Sequence, residues 1–304
     1  MTAAVSYALG VALPLSLTDP RTDLGRQSSK KGTQTMMTTI GKDSNWGLRN
    51  MKALIDLDPL VYNYADCRFP DGNLMPAYMA EKFLINKIED IVDRSAASSW
   101  RGFLTFGPDN FRLELGTIKP YKGNRSDREK PPLHDHLRSF LTDLPNVQMV
   151  FGQEADDMLS ILQFEDYYSC SLNDELADEL LCSTIICSPD KDLDMVPGWH
   201  YRWGTSRYDE ILPWFQDEIS GLRCFYKQCL IGDTVDNIPG LTGVGPKSAH
   251  VAKLSGMDTE LEMCSHVLEL YEKWYGNYGR QFLTEVGTLL WMRREHDEYW
   301  NIPC

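Results

Sequence analysis

The sequence has little from which a thiol or soft-metal centre could be built. None of its eight cysteines falls in a Cys-x-x-Cys pair. Cys182/Cys187 and Cys224/Cys229 stand five apart without partnering histidines, which excludes the usual zinc and dithiol motifs. Buried, reduced thiols of a cytosolic protein are the expectation. No run of 18 apolar residues occurs, so no membrane span is expected. The start, "MTAAVSYALGVALPLSL", is apolar but has neither a basic leading region nor a clear cleavage site, so no secretory signal is expected. Positive charge is also scarce, with 30 Lys and Arg against 44 Asp and Glu and a net charge of −14. That balance argues against a nucleic-acid partner, unless many of the acids are ligands for cations.

What is there fits a soluble globular protein of one large domain or two smaller ones: 304 residues, 42% apolar and 24% charged. Residues 1–50 are polar and show no helical or strand period, so a disordered N-terminal extension is expected. From Met51 short apolar runs, "KALIDL" (52–57), "GFLTF" (102–106), "VQMVF" (147–151), "STIIC" (183–187) and "WHYRWG" (199–204), alternate with helical patterns over 74–93, 133–144, 154–168 and 173–181. Alternation of this kind predicts right-handed crossovers and a mostly parallel α/β sheet over 51–211. From about Leu212 the pattern reads as wholly helical, giving a second region over 212–304.

Sites in open parallel sheets form at the carboxyl ends of strands, and every confident run here is followed by acid. Asp56 and Asp58 follow the first and Asp109 the second. Glu154, Asp156 and Asp157 follow the third; Asp190, Asp192 and Asp194 follow the fourth. One such acid is an ordinary loop or cap residue. Four converging strand ends would crowd carboxylates into a single crevice, which is unstable unless cations neutralise it. Hard oxygen donors in that number suit Mg²⁺ or Mn²⁺. Asp233 and Asp236, three apart, would complete a second metal position, and paired metals serve in-line attack on phosphodiesters.

"NIPGLTGVGPKSA" follows at once. Gly243 and Gly245 let backbone N–H groups approach an anion, Pro246 fits the first turn of a helix, and Lys247 adds a charge. This reads as a helix–hairpin–helix gripping a nucleic-acid backbone. A second constellation, "FRLELGTIKPYKGNRSDREK", concentrates Arg112, Lys119, Lys122, Arg125, Arg128 and Lys130 around Tyr121, as a DNA-strand clamp would. His134 and His136 are expected at the surface, and the "WHYRW" aromatics in a core strand.

Taken in order, "LIDLDPLVY", "FRLELGTIKPYKGNR", "EADDM", "SPDKDLDMV" and "GDTVDNIPGLTGVGPKSA" resemble the motifs of the 5′-nuclease superfamily, most closely the bacteriophage 5′–3′ exonucleases and flap endonucleases. The resemblance spans about residues 51–255. It implies a PIN-like fold and two or three Mg²⁺ or Mn²⁺ ions. Asp56, Asp109, Glu154, Asp156 and Asp190 would hold the first metal; Asp157, Asp192, Asp233 and Asp236 would serve the second. Lys122 and Arg125 would contact the scissile phosphate and Tyr121 would stack on the terminal nucleotide. Arg112 and Lys119 would lie along DNA. Gly243, Gly245 and Lys247 would hold duplex, with K⁺ at the hairpin. The chain departs from the family in placing Asp109 only three residues before Arg112.

The implied substrates are DNA 5′ ends, flaps or nicks, with RNA–DNA hybrid as a further partner. The expected protein is a cytoplasmic monomer, in the host cytoplasm if it is viral. A catalytically silent DNA-structure binder and a PIN-class ribonuclease are the alternatives.

Overall fold

The computed structural model describes residues 50–125, 129–170, 181–206 and 208–304, except for the side chains of Pro108 and Asp109. The expected disordered extension therefore lies, Asn50 apart, outside the described residues. So do Arg128 and, Leu181 apart, the expected helix over 173–181.

In β1 (Lys52–Asp56) every residue but Lys52 is buried. Leu54 enters one apolar cluster while Ala53 and Ile55 enter another, the period-two alternation of a strand covered on both faces. Such a strand belongs at the centre of a parallel sheet, and β1 lies there. It pairs in parallel with β2 (Ser99–Asn110) on one side and β4 (Thr184–Cys187) on the other. Beyond them run β3 (Val147–Gly152) and β5 (Gly198–Arg202), both also parallel, with β5 wholly buried as expected of its aromatics.

The sheet order is β3-β2-β1-β4-β5-β6. Its last strand corrects the sequence reading. Ile211–Gln216 forms β6, antiparallel to β5, so the chain is not wholly helical from Leu212. Pro213 within this short run masks the strand signal, and an edge strand is where proline is tolerated.

Helices cover both faces. On one, α1 (Asp58–Tyr64), α2 (Ala77–Arg94) and α4 (His134–Thr142) bury Leu60, Leu84, Ile88 and Leu137. A one-turn α3 (Arg112–Leu115) follows β2, and α5 (Ala155–Cys170) carries the chain from β3 towards β4. The other face is covered by α6 (Glu218–Ile231), α8 (Glu260–Tyr275) and α9 (Gly279–Leu290), with Phe225, Tyr271 and Leu283 in the core. Thr259 and Glu262 form a capping box at the start of α8.

Between α6 and α8 lie a small hairpin of β7 (Gly232–Asp233) and β8 (Ile238–Pro239) and the short α7 (Ala249–Lys253). Gly232 has φ +70°, and a Cβ there would meet Gly240 N at 2.3 Å and Ile238 O at 2.5 Å. Only glycine lets this hairpin close on the end of α6. Helix α7 starts at Ser248, whose side chain accepts from Val251 N, rather than at Pro246.

Two further expectations are corrected. Cys264 and Cys304 form a disulfide with a Cα–Cα distance of 6.3 Å, so the thiols are not all reduced. His134 is buried, its ring 4.8 Å from that of Tyr62; only His136 is at the surface, bonded to Glu81. Among the described residues no helix is long and apolar enough to cross a membrane.

Candidate active site

The carboxyl ends of β1, β3 and β4 and the β7–β8 hairpin face one cleft of about 420 Å³. Seven of the nine predicted ligands line it: Asp56, Glu154, Asp156, Asp190, Asp192, Asp233 and Asp236. Asp58, Lys122, Arg125, Lys130 and Arg138 share the lining. The side chain of Asp109 lies outside the described residues.

Backbone and hydroxyl donors hold the acids in place. Ser188 Oγ donates to Asp56 Oδ2 at 3.1 Å and accepts from Asp190 N at 3.1 Å. Asp192 N donates to Asp190 Oδ1 at 2.9 Å, and Val235 N to Asp233 Oδ1 at 2.6 Å. Asp58 accepts from Thr105 N at 3.0 Å and from Arg138 at 2.7 Å, so it braces the cleft wall. Arg138 carries no sequence signal for this role, being a single cation beside the buried face of α4.

Crowding shows in the proton affinities. Burial, then Asp58 and Asp190, raises Asp56 well above the carboxylate range. Burial, then Asp56, Asp190 and Glu154, does the same to Asp156. Desolvation also raises Asp190, helped by Asp236 and Asp233. Asp192 is pushed up to about 8 by burial, by Asp190 and by a hydrogen bond with Asp233. That hydrogen bond lets Asp233 stay below its usual value despite burial.

A cation site is the physical answer to such repulsion. The donors are carboxylate oxygens, and Asp156 Oδ1 is buried with no hydrogen-bond partner. This set fits hard divalent ions such as Mg²⁺ or Mn²⁺. The oxygens stand around the cleft rather than at one point. Among the described residues, the one trio of candidate donors within 4.8 Å of one another is Asp166, Cys170 and Cys182, on α5 and just before β4.

The basic segment closes one side. Lys122 Nζ donates to Glu154 and lies 3.6 Å from Asp236, while Arg125 pairs with Asp236. The backbone is stitched to the hairpin as well, Lys122 N to Asp236 O at 2.9 Å and Asn237 Nδ2 to Pro120 O at 2.8 Å. Burial raises Glu154, but Lys122 and Arg112 more than offset it, and its carboxyl falls below the normal range.

Three predicted roles meet a different geometry. Tyr121 is 5% exposed, and its single hydroxyl proton has Glu154 Oε2 at 2.7 Å and Asp236 Oδ2 at 3.0 Å as alternative acceptors. It lines the cleft as a brace, held through its hydroxyl and with little of the residue exposed for a nucleotide to stack on. Arg112 is 1% exposed and cannot lie along DNA. Its Nη1 and Nη2 donate to Asp157 at 2.5 and 2.7 Å, its Nε to Leu289 O at 2.9 Å, and Nη2 also to Trp291 O at 2.7 Å. Asp157, fully buried, further accepts from Glu154 N at 3.2 Å and Arg293 N at 3.3 Å. Its oxygens are consumed by this network, so it is not a metal ligand here. The available signal was helical geometry: on α5 adjacent residues point about 100° apart, so Asp156 and Asp157 could not both face the cleft.

Lys119 and Lys247 are exposed. Gly243 has φ +81°, a left-handed turn, with nothing within 4 Å of a Cβ built on it.

No protein-family model matches the sequence, and no curated protein does. Solved structures do. The bacteriophage T5 D15 protein, crystallised with metal ions, matches with a TM-score of 0.50 and 17% identity over 79% of this chain and 85% of its own. Flap endonuclease-1 from Methanococcus jannaschii matches with a TM-score of 0.47 and 13% identity over 84% and 82%. At such identities the likeness is one of fold, and this chain shares the fold of the T5 D15 protein.

Proposed function

We infer that the protein is a divalent-metal-dependent nuclease, a 5′–3′ exonuclease or structure-specific flap endonuclease that hydrolyses DNA phosphodiesters near 5′ ends. The observation that carries this reading is the gathering of Asp56, Asp156, Asp190, Asp192 and Asp233 in one cleft, with proton affinities raised at four of the five. The metal-bearing T5 protein of the same fold supports it.

These five acids would hold two or more Mg²⁺ or Mn²⁺ ions. Bound there, the ions supply Lewis acidity and charge neutralisation at a phosphodiester. Lys122 and Arg125 stand at the rim, where an incoming phosphate can draw them from Glu154 and Asp236 and take up charge gathering on its oxygens. Tyr121 keeps Glu154 and Asp236 in register during that exchange. The exposed turn around Gly243, Gly245 and Lys247 would bear on duplex as a helix–hairpin–helix. The buried Cys187 and Cys229 thiols are pushed above their normal range by burial, which disfavours a thiolate nucleophile.

A 5′-flap duplex labelled at its flap end tests the proposal. Mg²⁺ should support release of the label, EDTA should stop it, and Asp192→Ala should lower the rate by about 10²-fold or more while retaining duplex binding. Wild-type cleavage in EDTA, or full activity of Asp192→Ala, would overturn it. Nicked, blunt and RNA-primed substrates in the same assay fix the preferred end.

A further inference from the structure

We propose that Asp166, Cys170 and Cys182 form a binding site for a zinc-class divalent cation, separate from the acid cleft. Asp166 and Cys170 lie four apart on α5 and so share one face of the helix. Cys182 reaches that face from the residue before Ser183 and β4, and the candidate donor atoms of all three lie within 4.8 Å of one another. Both cysteines are buried, at 7% and 3% exposure, where bulk water does not compete for the donors. Two sulfurs and one carboxylate suit zinc and disfavour the hard cations of the cleft.

The surroundings are those of a prepared ligand. Asp166 Oδ2 accepts from Ser183 N, Thr184 N and Thr184 Oγ1, and Oδ1 accepts from Ser183 Oγ. The carboxylate is thus fixed in orientation, the pattern of outer partners that orient metal ligands. A cavity of about 280 Å³ opens beside Asp166, lined also by Lys52, Arg101, Glu165, Ser169 and Thr184. On binding, both thiols lose their protons to solvent as the two sulfur–metal bonds form, with no change of oxidation state. The result would tie the end of α5 to the start of β4.

Cobalt(II) serves as the probe, because thiolate ligation gives a near-ultraviolet charge-transfer band that carboxylates do not. The full chain, reduced and stripped of metal, is titrated in excess Mg²⁺ to occupy the cleft. The band should form in the wild type and in Asp192→Asn. It should vanish in Cys170→Ser and Cys182→Ser and weaken in Asp166→Asn. No band in the wild type, or a band surviving both serine variants, overturns the site. A measurement without variants guards against misfolding: Zn²⁺ should slow alkylation of Cys170 and Cys182 at least tenfold, with the half-buried Cys224 as reference. Equal labelling with and without Zn²⁺, or a Cys170–Cys182 disulfide in the non-reduced peptide map, overturns it too.

Discussion

Asp156 and Asp157 are chain neighbours at the start of α5 with opposite surroundings. Asp156 faces the cleft with an unpartnered Oδ1 and a strongly raised proton affinity. Asp157 is locked to Arg112, whose own affinity rises because Asp157 more than offsets its burial. One acid is left in electrostatic debt while the other is fully neutralised by its own chain. The contrast teaches that buried carboxylates in one motif divide into those awaiting a cation and those that fix the scaffold.

The largest expected effect separates them by stability. Asp157→Ala or Arg112→Ala leaves a buried charge alone and should cost about 3–5 kcal/mol, read by urea unfolding. Asp156→Asn should instead raise the melting temperature of the metal-free protein. If both substitutions shift stability alike, the division fails.

A smaller effect belongs to Tyr121, which ties the two sides together. Tyr121→Phe keeps the ring but loses the hydrogen bond its hydroxyl donates to a carboxylate, a cost of about 1.5–3 kcal/mol. Binding of a single-stranded 5′ end should be unchanged. Unaltered stability with weakened end binding would restore the stacking role.

The smallest effect per step is in pH. Asp56, Asp156 and Asp192 hold protons in the folded state that the unfolded chain releases near about pH 3.9. Their contribution is therefore complete below that pH and is lost as pH rises towards the folded value, about 8 for Asp192. Glu154 and Asp233, with lowered values, contribute in the opposite sense and only at acid pH. Metal-free protein should lose up to about 1.4 kcal/mol of stability per pH unit for each proton released across this window. Asp192→Asn should flatten the slope and excess Mg²⁺ should abolish it. A metal-free stability rising from pH 5 to 8 would contradict the crowding.

Much of this was legible from period and position. The run "KALID" announces a central buried strand, and acids after parallel strands converge for topological reasons. The fate of a particular side chain was harder to read. Nothing local distinguishes Arg112 from Lys122 in a basic segment, yet carbonyls at Leu289 and Trp291, over 170 residues on, bury the first. Tyr121 reads as a platform beside cations until β7 and β8 close over it. Asp166 and the cysteines around it are silent because Cys170 and Cys182 are joined by a stretch with no recognisable ligand spacing.

The grip of Arg112 on those two carbonyls has a consequence for the cleft. Asp157, held by Arg112, accepts from Glu154 N, so the placement of one cleft acid depends on carbonyls more than 170 residues along the chain. Far-separated parts of the sequence thus set one wall of the site together.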